Sequence, residues 1–186
     1  MSTPAIFLDR DGTLNVEKEY LHRIEDWEWI PGAVEAIRLI NDMGYLAIVV
    51  TNQAGVARGL YTEADVLSLH SKVDDMLRLA SAKIDAYYYC PHHPDHGDHR
   101  LCQCRKPEPG MLLAAQRHWD IDLEKSYMIG DKAIDMEAGA RVGASPILVM
   151  TGYGKEEQKK ENLKDVKFHA DVLSAVQFIQ AKKAQT

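Results

Sequence analysis

Residues Ala5-Ile6-Phe7-Leu8-Asp9-Arg10-Asp11-Gly12-Thr13-Leu14 decide how the rest of the chain is read. The apolar run at 5–8 has the character of a strand, with Pro4 before it and a charged turn after it. Asp9 and Asp11 follow at its carboxyl end. On extended backbone, residues two apart face the same side, so both carboxylates can converge on one object. Gly12 lets the chain turn away sharply. Like charges held close are costly unless a cation or a proton compensates them, and hard carboxylate oxygens suit Mg²⁺. In open α/β sheets, ligands bind at the carboxyl ends of strands.

Outward from this stretch, apolar runs alternate with helical patterns. Ala33, Ala36, Ile37 and Ile40 form a stripe that predicts a helix over 32–43, stopped by Gly44. Residues 46–50 are continuously apolar, as in a strand buried on both faces. Thr62 and Asp65 form a capping box for a helix whose apolar face includes Leu69, Val73, Met76, Leu77 and Ala80. Further strands are expected at 86–89, 127–129 and 147–150, and helices at 111–119, 134–140 and from Asp171. Pro109 and Gly110 lead into the first of these helices. The charged segment over about 155–164 is a helix or a loop. The connection 15–31 is long for its position, and long loops are often functional. Its Trp27 and Trp29 are read first as core anchors. The alternation predicts an α/β fold: a Rossmann-like three-layer sandwich with a mostly parallel central sheet, in one domain over residues 1–186.

The chain has 186 residues, a net charge of −6 and a pI near 5.7. That balance argues against nucleic acid as the main partner. No run approaches the roughly 20 apolar residues that span a bilayer. The first residues lack a basic region followed by an apolar core. The expectation is a cytoplasmic monomer acting on a small molecule, with no membrane partner.

Four strand ends carry, or lead to, polar groups: Asp9 with Asp11, then Thr51, Lys106 and Asp131. Singly, each reads as a cap, a solvated side chain or a turn. In this order they resemble the haloacid dehalogenase superfamily of aspartate-nucleophile phosphohydrolases, with Asp9-Arg10-Asp11-Gly12-Thr13 as its first motif. The resemblance implies a covalent mechanism. Asp9 is the nucleophile, and Asp11 is the general acid and then base. Thr51 and Lys106 stabilise the phosphoryl group. Mg²⁺ is held by Asp9, Asp131 and the backbone carbonyl of Asp11, with Asp135 holding one of its waters.

The segment from Cys90 to Pro107 carries Cys-x-His and Cys-x-Cys pairs. Three cysteines within fifteen residues, an odd number, suit a metal better than a disulfide framework. Cys90, His92, Cys102 and Cys104 would make a closed tetrahedral Zn²⁺ site with a structural role. His93, His96 and His99 are competing donors, and a reduced cluster in a His-rich loop is the plain alternative. This zinc loop, at about 90–104, ends beside Arg105 and Lys106 and would position them.

Together with Thr51-Asn52-Gln53 and Gly130-Asp131-Lys132, these motifs resemble the bacterial D-glycero-D-manno-heptose 1,7-bisphosphate 7-phosphatases over residues 5–154. The resemblance implies a haloacid dehalogenase-like fold with no large cap domain. It also implies a sugar bisphosphate substrate from nucleotide-activated heptose synthesis, for lipopolysaccharide or surface glycan. Arg105 would recognise the distal part of the substrate. Arg10, Glu17, Lys18, Glu19, Tyr20, Asn52, Gln53, Ala54 and Lys132 would also contact it. Residues 17–20 are more charged than the family pattern, and Ala54 stands where serine is common. A histidinol-phosphate phosphatase shares fold, motifs and a similar zinc loop. A non-catalytic, zinc-stabilised binding module is the reading from another class.

Overall fold

In the computed structural model, which describes residues 2–98, 101–163 and 165–185, the first apolar run is a central strand. Strand β1 (Ala5–Leu8) is wholly buried. It pairs in parallel with β2 (Leu46–Asn52) on one side and β4 (Tyr127–Gly130) on the other, so that Leu8 faces both Val49 and Ile129. Outside these lie β3 (Ala86–Cys90), β5 (Ser145–Val149) and β6 (Lys167–His169). Among the described residues the sheet has six strands in the order β3-β2-β1-β4-β5-β6, with every pairing parallel.

The continuous apolar runs follow from burial on both faces. Ile6, Leu8, Ala47, Val49 and Ile129 share a core with residues of helices α1 (Ala33–Asp42), α2 (Glu63–Leu79) and α6 (Val172–Lys183). Ala5, Phe7, Ile48, Val50 and Met128 point the other way, onto α3 (Gly110–Trp119) and α4 (Ala133–Arg141). Each fully buried aliphatic or aromatic side chain contributes about 1.5–3 kcal/mol. These layers make the expected three-layer α/β sandwich, entirely rather than mostly parallel.

The sequence pattern predicts five strands, and the sixth has a physical reason for escaping it. β6 is a three-residue edge strand whose first two side chains are exposed, so no apolar run marks it. The segment near 155–164 resolves into one helical turn, α5 (Gly154–Glu157), and a 3₁₀ turn at Glu161–Leu163 that buries Leu163. β2 extends beyond its apolar run because β3 continues the ladder, pairing Thr51 with Tyr89 and Asn52 with Cys90. Both bonds of the Thr62–Asp65 capping box are present.

The connection 15–31 folds back over the carboxyl edge as a flap. Val16 N–H donates to the Glu28 carbonyl at 2.8 Å, and Asn15 bridges Trp29 antiparallel. Trp27 and Trp29 meet edge to face at 5.0 Å and pack on the core, as read. The chain order reverses between β1 and β4. That switch point is where an open α/β sheet leaves a crevice. No helix among the described residues is long and apolar enough to cross a membrane.

Candidate active site

At the switch point the strand ends deliver three carboxylates into one buried volume. Asp9 follows β1, Asp131 follows β4, and Asp135 reaches in from the first turn of α4. One oxygen of each lies within 4.8 Å of the others, and all three residues are buried. The Lys106 ammonium sits among them. Lys106 Nζ lies 2.8 Å from Asp9 Oδ1 and 2.7 Å from Asp135 Oδ1, and donates to the Val50 carbonyl at 2.7 Å. Burial pulls the Lys106 ammonium down, but Asp135 and Asp9 outweigh it and hold it above its ordinary value. Burial raises both Asp131 and Asp135, and the Asp9 charge raises each further. Lys132 also acts on Asp131 and Asp9 from the cleft side, but it is shared with Glu17, so the two lysines do not balance the acidic groups. Asp131 Oδ2 accepts from the Tyr153 amide at 2.8 Å, while buried Oδ1 has no hydrogen-bond partner among the described residues. An orphaned carboxylate oxygen in an acidic, oxygen-only cluster fits a divalent cation.

Glycines make room for this cluster. Gly12 has φ +85°, and a Cβ there would fall 2.3 Å from Asp131 Oδ2; at Gly152 it would fall 2.1 Å away. Gly12→Ala is therefore expected to cost about 1–3 kcal/mol in urea-unfolding stability from backbone strain alone. It is also expected to remove the rise in melting temperature on adding Mg²⁺. A variant that melts and responds to Mg²⁺ like the wild type would show the close approach to be unimportant.

Asp11 faces away from the cluster and is held by a fan of donors. Arg10 Nε and Nη2 reach its oxygens at 2.9–3.2 Å, and Asn15 Nδ2 and Gln53 Nε2 each donate at 3.0 Å. Burial raises this carboxyl, but Arg10, Asn15 and Gln53 together outweigh burial and leave it below its ordinary range. Gln53 also donates to Thr51 Oγ1 at 2.9 Å, while its own carbonyl accepts from Tyr61 at 2.7 Å. Tyr61 thus decides which way the Gln53 amide points. Arg10 is itself buried, donating to the Leu21 carbonyl of the flap at 2.9 Å. Its neighbour His70 is kept neutral, its pKa pushed down to about 3 by burial and then by the Arg10 charge.

Above these groups opens a cleft of about 290 Å³. Of the residues singled out in the sequence, Asp9, Asp11, Glu17, Glu19, Tyr20, Thr51, Asn52, Gln53, Ala54, Lys106 and Lys132 line it. Arg10, Lys18 and Arg105 do not. The Arg10 guanidinium is buried behind Asp11, Lys18 pairs with Glu28 at 3.0 Å, and Arg105 donates to the His92 carbonyl at 3.2 Å. Asn52 lines the cleft, yet its amide is spent on Lys106: it donates to the Lys106 carbonyl at 3.1 Å and accepts from its N–H at 3.0 Å. Asp135, expected to hold a water, pairs with Lys106. Tyr61, Ile134 and Tyr153 complete the lining and were not anticipated. For Tyr153 a signal existed: it follows Thr151-Gly152 at the carboxyl end of β5, where ligand groups gather.

The second cluster forms where β3 ends. Cys90 Sγ lies 3.6 Å from Cys102 Sγ and 3.2 Å from Cys104 Sγ. His92 Nδ1 lies 3.7 Å from Cys90 and 3.4 Å from Cys104. Tetrahedral bonds of about 2.3 Å imply ligand separations near 3.8 Å, so four donors at these distances match a metal site. His93 and His96 meet at a tilt outside the cluster, their ring centres 4.8 Å apart, and His99 lies outside the described residues.

Fold and clusters define a class: a HAD-like hydrolase with a parallel α/β sandwich and carboxylates gathered at the switch point. Residues 103–175 match the HAD-hydrolase-like family profile. The chain is 48% identical over 156 residues to the D-glycero-beta-D-manno-heptose-1,7-bisphosphate 7-phosphatase of Escherichia coli K12, covering 81% of each chain. It is 47% identical over 154 residues to that of Photorhabdus laumondii, covering 80% of this chain and 81% of the other. The chain belongs to the D-glycero-beta-D-manno-heptose-1,7-bisphosphate 7-phosphatase family. The crystal structure of the D,D-heptose 1,7-bisphosphate phosphatase from B. bronchiseptica, complexed with magnesium and phosphate, superposes with a TM-score of 0.88. That pair shares 32% identity over 97% of this chain and 99% of the other.

Proposed function

We propose that this protein removes the 7-phosphate of D-glycero-beta-D-manno-heptose 1,7-bisphosphate by way of an aspartyl-phosphate on Asp9. The observation that carries the reading is the buried Asp9–Lys106–Asp135–Asp131 cluster directly beneath the cleft. Asp9 attacks phosphorus, and Lys106, held by Asn52, steadies Asp9 and meets the phosphoryl oxygens. The Thr51 hydroxyl donates to a phosphoryl oxygen. Asp11 protonates the leaving sugar oxygen and later takes a proton from the hydrolytic water. The resting site holds Asp11 as a carboxylate, and the arriving phosphate charge raises it towards the acid form.

Asp9, Asp131 and the backbone carbonyl of Asp11 would hold Mg²⁺, which supplies positive charge between nucleophile and phosphate. Glu17, Glu19, Tyr20, Gln53, Ala54 and Lys132 shape the sugar end of the site. Arg105 reads the far end of the substrate. Phosphate release from heptose 1,7-bisphosphate, fructose 1,6-bisphosphate and histidinol phosphate with Mg²⁺ present tests the assignment. The heptose ester is expected to have the highest kcat/KM, and a preference for histidinol phosphate would refute it.

Zn²⁺ in the Cys90–His92–Cys102–Cys104 cluster would act structurally, since four protein donors leave no open position. A selective zinc chelator is expected to speed proteolysis within residues 91–104 and to lower kcat, because Lys106 follows that segment directly. An unchanged cleavage pattern would count against the metal.

A further inference from the structure

Two guanidinium groups stand next to residues of the cleft lining: Arg58 lies over Tyr20, and Arg105 directly precedes Lys106. Lys106 is committed to Asp9 and Asp135, Lys132 to Glu17, and Arg10 to Asp11. Among the described residues, neither Arg105 nor Arg58 has a carboxylate within 4.0 Å. Arg105 rests on the His92 carbonyl. Arg58 is exposed and spans a seam between three loops. Its Cζ lies 5.8 Å from the centre of the Tyr20 ring on the flap, and its Nη2 lies 3.2 Å from His93 Nε2 on the thiol loop.

The turn that carries Arg58 is fixed in place. Arg58 N–H donates at 3.2 Å to the carbonyl of Ala54, which lines the cleft. Ala57 N–H donates to the Pro91 carbonyl at 3.1 Å, and Gln53 N–H to the Cys90 carbonyl at 2.8 Å. The backbone is therefore set while the side chain's own contact is weak. His93 Nδ1 already faces the Asp95 N–H at 3.1 Å. A neutral imidazole has one acceptor nitrogen, so it cannot serve both that amide and Arg58. One of the two contacts is unfulfilled, and Arg58 gives up little by turning to an anion.

We infer that Arg58 is a specificity-determining residue: with Arg105 it clamps the phosphate at the far end of the sugar and favours a bisphosphate over a monophosphate. A planar guanidinium suits phosphate oxygens, and two of them from separate loops can close on one such group. The acidic cleft makes this clamp necessary. Asp9, Asp11, Glu17 and Glu19 all line it, so a second phosphate needs cations of its own at the rim.

The inference rests on the function proposed above. Its test compares kcat/KM for heptose 1,7-bisphosphate and heptose 7-phosphate in the wild type, Arg58→Ala and Arg58→Lys, with Mg²⁺ present. Arg58→Ala is expected to lower the bisphosphate-to-monophosphate ratio roughly 10- to 100-fold, as for loss of a charged hydrogen bond. The change should fall on KM, because the contact is the same in ground and transition states. Arg58→Lys should recover part of the ratio. An equal loss on both substrates would mean that Arg58 only props the loops, and no loss on either would also overturn the inference. A wild type inactive on the bisphosphate would overturn the function itself and this inference with it.

Discussion

Asp9→Asn is expected to lower turnover by at least about 10⁴-fold while leaving the protein folded. An amide of the same shape cannot form the acyl-phosphate bond at a useful rate. Its neighbours should tolerate it. Asp9, Asp131 and Asp135 crowd around one lysine, and burial with mutual repulsion already raises Asp131 and Asp135. Removing one negative charge relieves that repulsion. In the absence of metal, Asp9→Asn should therefore melt no lower than the wild type, whereas the gain in melting temperature on adding Mg²⁺ should shrink. Steady-state kinetics and thermal melts with and without Mg²⁺ measure both effects. Normal turnover in this variant would end the covalent mechanism.

Lys106→Met tests the other half of the same cluster and should fail differently. Lys106 is buried between Asp9 and Asp135, so a side chain of similar length without charge leaves both carboxylates uncompensated. Breaking a buried pair by removing one partner costs about 3–5 kcal/mol. Turnover should also fall by roughly 10²–10³-fold, the usual cost of one preorganised charged donor. Pairing it with Asp135→Asn should restore part of the stability and none of the turnover. The pH dependence has a defined sign. Lys106 sits above its ordinary value of 10.5 in the fold. Its stabilising effect is therefore complete below that value and fades as pH rises through the higher folded pKa. The gap in unfolding free energy between wild type and variant should hold from neutral pH to about 10 and narrow above it. Denaturant melts across that range would show it, and a gap already closed at pH 8 would contradict it.

The two variants separate what the two residues contribute. Asp9 is tolerated by the fold and needed for chemistry. Lys106 is needed for both, because it is the cation in direct contact with Asp9 and Asp135. The cluster is therefore expected to lose activity and stability independently under mutation.

Local patterns determined most of this architecture. The runs at 5–8 and 46–50, the stripe of α1 and the Thr62–Asp65 cap each express burial or backbone satisfaction within a few residues, so they are legible without a fold. Asp9, Asp11 and Asp131 were legible for the same reason: each stands next to a strand whose pattern is plain. The Cys-x-His and Cys-x-Cys pairs were legible through their chemistry. What only tertiary structure decided is which way each side chain turns. Arg10 reads as a ligand-facing charge and is instead buried behind Asp11 with its fork on the Leu21 carbonyl. Asn52 reads as a substrate contact and clamps the Lys106 backbone across 54 residues. Tyr61 and Tyr153 reach the cleft, and β6 joins the sheet, through neighbours distant in sequence. Spacing records the faces of a strand or helix, whereas hydrogen bonds between loops depend on the packing of the whole sheet, which no short window contains.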